Sequence, residues 1–381
     1  MVACSLLSNH MFEQWLAPLC EWMDIATLGT RFFFLYIVGA IVGCTLLINA
    51  RSFPLIWHAQ VFLPLGIMRC KYHILSCQHI LSLQPAAARH EAVVNQLESS
   101  ACPVGANPFK FHVICRSWAS PDDTDWFGHL SNSSYAKARD LALSKFSIKG
   151  CPTFVGIGGA VILSSTYYHF LREIPLFTRY EMHLSIGAWD QKWMYLVCRF
   201  ISYSKNKRKT KTKQDASLVL PEDSPASSGI STPVVPSDTE SATPCSEEIT
   251  KTLTTSLLAE DPDGPTVHCF SISRVCFKVG RITVPPALIL ACEGFSKPPK
   301  SGSYSYNTPP PHWIHPHTIR NSSGSLNEYH GFLTRFWRDV APEDRWWIEP
   351  LSGPVEEQRQ ANLEKLDAIQ NGINGCMIVG T

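Results

Sequence analysis

The spacing of apolar residues switches from helical to alternating and back along this chain, and the switches mark its elements. A stretch without charge from Phe32 to Ala50 comes first. At 1.5 Å per residue it reaches ~28 Å, about one hydrocarbon thickness, so residues 31–50 are predicted to form a transmembrane anchor behind an N-terminal segment, 1–30. Glu13, Glu21 and Asp24 precede it, whereas a secretory signal has basic residues before an apolar region nearer the terminus. A second apolar stretch, Phe53 to Met68, contains Pro54, His58 and Pro64. Those residues should break it into an interfacial segment or a poorer span. Arg31 is the basic residue before the apolar run, and Arg51, Arg69 and Lys71 follow it. The positive-inside rule then puts the C-terminal body in the cytosol. The chain reads as a single-pass membrane protein, with the endoplasmic reticulum as its expected location.

Beyond a weakly helical, membrane-proximal connector over 51–107, the pattern becomes that of a folded domain. Lys110 to Trp118 alternates and predicts a strand, whereas Tyr135, Ala138, Leu141, Ala142 and Phe146 recur at helical spacing. Gly158–Tyr168, Tyr180–Ala188, Met194–Tyr203 and Val267–Lys278 are rich in β-branched and aromatic residues and predict strands. The order β-α-β-β-β-β implies an α+β fold, one helix against a curved antiparallel sheet, over 108–295. Between 205 and 265 the composition turns basic, from Lys205 to Lys213, and then rich in Ser, Thr, Pro, Asp and Glu. That predicts a disordered insertion between two strands, its basic run a solvated tether or a contact for anionic lipid rather than for nucleic acid. In the C-terminal extension, 296–381, Leu326, Tyr329, Leu333 and Phe336 recur at helical spacing, as do Leu363, Leu366 and Ile369. Trp337, Trp346 and Trp347 read as core residues.

Composition narrows the function classes. With 45% hydrophobic and 17% charged residues there is ample material for a core, and a net charge of +1 gives no reason to expect a nucleic-acid partner. Fourteen cysteines without a Cys-x-x-Cys pair fit reduced thiols better than a disulfide framework, in keeping with a cytosolic body. His312, His315 and His317 lie in a proline-rich setting without nearby Cys or Glu, so no metal and no cofactor are expected.

The chemistry concentrates in Asp123-Thr-Asp-Trp-Phe-Gly-His-Leu-Ser-Asn-Ser-Ser-Tyr135, between the first strand and the helix. A helix start offers unpaired N–H groups and the positive end of the dipole, which can hold a developing oxyanion while a carboxylate such as Asp125 attacks or activates water. Gly128 would let a ligand approach the backbone. The competing reading is structural, since Asp123, Asp125, Ser131 and Asn132 are all residues favoured at turns and helix caps.

The string Asp125-x-x-Gly128-His129-Leu130-x-Asn132-x-x-Tyr135 resembles the active-site signature of the hotdog thioesterases of the 4-hydroxybenzoyl-CoA thioesterase type. It is most similar to the branch that holds thioesterase superfamily member six and fungal thioesterase-like proteins. Ser164 to Phe177, Ala188-Trp-Asp-Gln-Lys-Trp193 and Gly280-Arg-Ile-Thr-Val-Pro-Pro286 follow in that branch's order. The resemblance implies a hotdog fold, a homodimer that closes the sheet edge, and hydrolysis of an acyl-CoA or acyl-carrier thioester to a carboxylic acid, in fungal lipid or secondary-metabolite biosynthesis. It makes Asp125 the nucleophile or general base, His129 an orienting group, and Asn132 a holder of the loop or of a water. Gly128, Ser131 and Tyr135 are expected beside the substrate, Tyr135 as packing rather than as an acid catalyst, and Asp123 in a turn or supporting role. The family has paired asparagines where this chain has Ser131-Asn132. The alternative is a hotdog acyl-binding or scaffold protein without turnover.

Overall fold

The computed structural model describes residues 30–80, 85–203, 265–299, 301–322 and 326–378. The expected insertion therefore lies outside the described residues, save its last position, and so does nearly all of the N-terminal segment. Helix α1 (Thr30–Ile48) has a mean hydropathy of 2.2 and none of its apolar window is buried. Among the described residues it alone is long and apolar enough to cross a membrane.

Helix α2 (Ile56–Ile80) corrects one expectation: it runs through Pro64 without a break. Proline inside a helix forfeits one hydrogen bond, and tertiary contacts flank this position. Leu65 and Met68 pack on the domain core, and Ser144 Oγ donates to the Val61 carbonyl at 2.6 Å. Helix α3 (Ala86–Ala101) follows.

Strands β1 (His112–Trp118), β2 (Gly159–Phe170), β3 (Arg179–Trp189), β4 (Met194–Ser202) and β5 (Thr266–Val279) form an antiparallel sheet in the order β1-β3-β4-β5-β2, with a short β6 (Ile282–Val284) on β5. Helix α4 (Asn132–Gly150) packs on β1 and β3. It turns Tyr135, Ala138, Ala142 and Phe146 into the core, a stripe at helical spacing. Tyr180, Met182, Leu184 and Ile186 of β3 alternate into the same core. This is the α+β hotdog arrangement expected from the sequence.

After the short α5 (Pro152–Gly156) and α6 (Pro286–Cys292), the C-terminal region adds α7 (Ile314–Asn321), α8 (Asn327–Thr334) and α9 (Pro354–Ile378). It is not an appendage, because Tyr329, Phe332, Leu333, Trp347, Leu351 and Val355 belong to the core built by the sheet and α4. Helix α9 covers the other face of β3, where Arg359 Nη1 donates to the Trp189 carbonyl at 2.6 Å and Asn362 Nδ2 to that of Gly187 at 2.8 Å.

A buried polar knot secures this region. Arg320, fully buried, donates from Nη1 to Glu98 Oε1 at 2.8 Å, and from Nη2 to Thr153 Oγ1 at 2.8 Å and to the Cys292 carbonyl at 2.6 Å. Glu293 Oε1 accepts from Thr153 Oγ1 and from the Phe154 N–H, each at 2.7 Å. His317 Nδ1 lies 2.8 Å from Glu98 Oε2, while His312 and His315 stack on Trp346. The ten described cysteines with an assigned state are free thiols. Burial pushes several of them up, Cys269 and Cys292 to about 12.

Candidate active site

The loop between β1 and α4 is a small hairpin whose ends are tied by the backbone. Thr124 bridges Leu130, the Asp125 N–H donates to the His129 carbonyl at 2.8 Å, and the Gly128 N–H donates to the Asp125 carbonyl at 3.1 Å. The tip turns because Asp125 Oδ1 accepts the N–H groups of Phe127 and His129 at 3.0 and 3.2 Å, an Asx-type turn. Gly128 takes φ 79°, in the left-handed region that glycine adopts without strain, and a β-carbon there would meet nothing within 4 Å. The loop therefore has a backbone face open to approach at Gly128.

A second loop, joining β2 to β3, lies against the first. Leu130 N–H donates to the Ile174 carbonyl at 2.8 Å, Leu176 N–H to the Gly128 carbonyl at 2.9 Å, and His129 bridges Pro175. This pairing brings His129 Nε2 to 3.0 Å from Glu173 Oε2. Glu173 is in turn fixed from behind by buried His268, whose Nδ1 lies 2.9 Å from the Glu173 carbonyl and whose Nε2 lies 2.7 Å from Ser202 Oγ. Neither Glu173 nor His268 was singled out by the sequence. The usable signal was the position of Glu173 inside the Ser164 to Phe177 motif, next to a strand end.

The remaining expected residues separate by role. Ser131 sits at the N-cap of α4, but its Oγ contacts Ser133 Oγ and Ser134 Oγ at 3.0 and 2.9 Å, and no side chain caps the helix. The N–H groups of Asn132 and Ser133 are left without an acceptor among the described residues. They form a donor pair at the positive end of a 19-residue helix. Asn132 is exposed as the first helical residue. Asp123 is buried; its Oδ1 accepts from Lys137 Nζ at 2.9 Å and its carbonyl from the Ser131 N–H at 2.9 Å, which ties the loop to α4. Tyr135 is only 2% exposed and packs edge-on against Phe170 and Phe200. Burial holds its phenol well above the usual range, so Tyr135 shapes the wall and keeps its proton at neutral pH.

Asp125 itself is exposed, and beside it Trp126 is 98% and Phe127 79% exposed. Two large aromatic side chains in water next to the carboxylate form a surface that suits a further covering group. The loops present an exposed carboxylate whose Oδ1 is held by its own turn, an imidazole backed by an acid, open space on the side-chain face of Gly128, and helix-start N–H groups without an acceptor. Unsatisfied N–H groups at a helix start are the kind of donors that can hold a polarised carbonyl.

Residues 119–220 match the thioesterase-like superfamily. The chain is 26% identical over 164 residues to the thioesterase poxG of Penicillium oxalicum, covering 43% of this chain and 51% of that protein. It is 31% identical over 94 residues to the probable thioesterase YBR096W of Saccharomyces cerevisiae, covering 22% of this chain and 38% of that one. The thioesterase lcsJ of Purpureocillium lilacinum is 24% identical over 197 residues, 43% of this chain and 59% of its own. The chain thus spans about half the length of the curated relatives it matches. A crystal structure of a 4-hydroxybenzoyl-CoA thioesterase with 4-hydroxybenzoyl-CoA aligns over 47% of this chain and 96% of its own, with 10% identity and a TM-score of 0.29. Residues 119–220 carry the thioesterase-like superfamily pattern, and the region around them is similar in sequence to fungal thioesterases.

Proposed function

We propose that the chain hydrolyses an acyl-CoA or acyl-carrier thioester to the free carboxylic acid, with Asp125 as nucleophile or general base. The observation that carries this reading is the pairing of the two loops. It ties the loop that carries Asp125 and Gly128 to Glu173, which backs His129, just ahead in the chain of a helix start whose first N–H groups lack an acceptor. The thioester oxygen would take those N–H groups, and charge developing on it would be stabilised by the helix dipole. His129 would orient the thioester or the attacking water, with Asn132 at the rim. Similarity to fungal thioesterases supports a place in lipid or secondary-metabolite biosynthesis.

The exposed Trp126 and Phe127 support a homodimer in which a second copy covers the loop tip. Edge strand β2 is apolar and exposed as well, with Ile162, Leu163 and Phe170 at 43%, 38% and 41%. An exposed apolar edge strand is an aggregation hazard unless it is paired. The length and hydropathy of α1 support a single-pass membrane anchor, and the basic residues after it support a cytosolic body, at the endoplasmic reticulum.

A non-catalytic acyl-binding role is the competing reading, favoured by the engagement of Asp125 Oδ1 with its own loop. Full-length protein in detergent should release thiol from acyl-CoA substrates across a chain-length series. Saturable acyl-CoA binding with no thiol release at any length would favour the binding protein instead.

A further inference from the structure

Away from the Asp125 loop, one strip of the inner sheet face is polar where its surroundings are apolar. The strand register sets Thr166 opposite Ser273 and Tyr168 opposite Ser271. Alternation puts these four residues on the side that also carries the core residues Cys269, Val275 and Phe277. Arg139 of α4 reaches the same strip. Its Nη1 donates to Ser273 Oγ at 2.9 Å and its Nη2 to Asp140 Oδ1 at 2.7 Å, while Ser273 Oγ lies 3.1 Å from Thr166 Oγ1.

The strip is buried and incompletely satisfied. Arg139 is 2% and Ser271 0% exposed, yet Arg139 Nε and Ser271 Oγ have no hydrogen-bond partner, and the half-buried Tyr168 OH is answered by the neighbouring Arg139 guanidinium alone. Orphans of this kind are uncommon in cores, because each forfeits its hydration, and those gathered in this strip are free to take a water or a ligand oxygen. Burial raises the Tyr168 phenol, while the charge of Arg139 and a hydrogen bond to it draw the phenol back. Asp140 already answers the Arg139 charge, so the open valences suit a neutral oxygen rather than a second carboxylate.

The location relates the strip to the candidate active site. Arg139 lies seven residues into α4, ~10 Å from the helix start at 1.5 Å per residue. Phe170 links the two regions, with its ring 5.1 Å from that of Tyr135 and stacked 5.9 Å from that of Tyr168. The separation from the helix start is about the reach of half a long acyl chain.

We propose that Arg139, Tyr168 and Ser271, supported by Ser273, form a subsite for a hydroxyl or keto oxygen carried on the acyl group. The position of the chain rests on the thioesterase reading, whereas recognition of the oxygen rests on the strip itself. The test is equilibrium binding of two free acids to the full-length protein in detergent, stearic acid with a mid-chain hydroxyl and plain stearic acid. Wild type should bind the hydroxylated acid about tenfold more tightly, and Tyr168→Phe and Ser271→Ala should each cut that preference several-fold, since a hydrogen bond is typically worth about such a factor. Both substitutions delete one oxygen, and thermal melts establish that the variants are folded. Equal affinity in wild type, or an undiminished preference in both variants, would mean that water serves these atoms and would overturn the subsite. Because no thioester is cleaved, preference without thiol release would sink only the hydrolase reading, and thiol release without preference only the subsite.

Discussion

His129 Nε2 and Glu173 Oε2 lie 3.0 Å apart across two loops that are far separated in sequence, with Glu173 71% exposed and His129 29% exposed. A pair this wet contributes little to folding, below about 1 kcal/mol. Its value lies in fixing the imidazole. Glu173→Gln should therefore leave the melting temperature nearly unchanged while lowering kcat for thiol release by about tenfold, a fraction of a general-base effect. A melting shift of many degrees with unaltered kcat would assign the pair to stability instead.

Arg320 carries the opposite balance, since it is buried and tied to Glu98, Thr153, Cys292 and Tyr329. Removing one partner of a buried ion pair leaves an uncompensated charge. Arg320→Met should cost about 3–5 kcal/mol in urea unfolding. The whole domain should report the loss, because Tyr329 beside Arg320 belongs to the same core as the sheet.

The bond between His317 and Glu98 sets a pH dependence. That hydrogen bond raises His317 more than burial lowers it. A group raised in the fold stabilises it fully below its unfolded value, about 6.5 for histidine, and the contribution fades as pH rises through the folded value. His317→Gln should thus be less stable than wild type at acid pH, with the gap narrowing toward alkaline pH. Thermal melts of both proteins across that range measure it, and a gap that widens with pH would contradict the assignment.

Trp126 and Phe127 test the proposed dimer. If a second copy covers them, replacing both by Ser should shift sedimentation from dimer toward monomer, since buried aromatic anchors carry much of an interface's energy, about 2 kcal/mol or more each. A wild-type monomer at micromolar concentration would contradict that arrangement.

Much of the fold was legible in the sequence because its sheet is half-buried in a regular way. Alternation in Arg179–Trp189 and helical spacing in Asn132–Gly150 report their own burial. The candidate loop was legible through Asp125, Gly128 and His129, whose types suit a turn before a helix. Glu173 and His268 were not, because their roles arise only when the β2–β3 loop folds onto the β1–α4 loop. Pro64 misled for a related reason: local propensity predicts a break, but packing of Leu65 and Met68 keeps the helix whole. The C-terminal region showed its helices by periodicity, yet nothing local revealed that Arg320 would be fully buried against Glu98 of α3.

Asp125 is the hinge of the account, and its structural and chemical roles can be separated by one substitution. Asn at this position keeps an Oδ1 acceptor for the N–H groups of Phe127 and His129 but is neither a base nor a comparable nucleophile. The decisive measurement is kcat for thiol release by Asp125→Asn beside wild type on the best acyl-CoA substrate, with melting curves recorded for both. If Asp125 is the nucleophile or base, the rate falls about 10²- to 10⁴-fold with melting unchanged. A rate equal to that of wild type would contradict it and leave Asp125 as a turn residue.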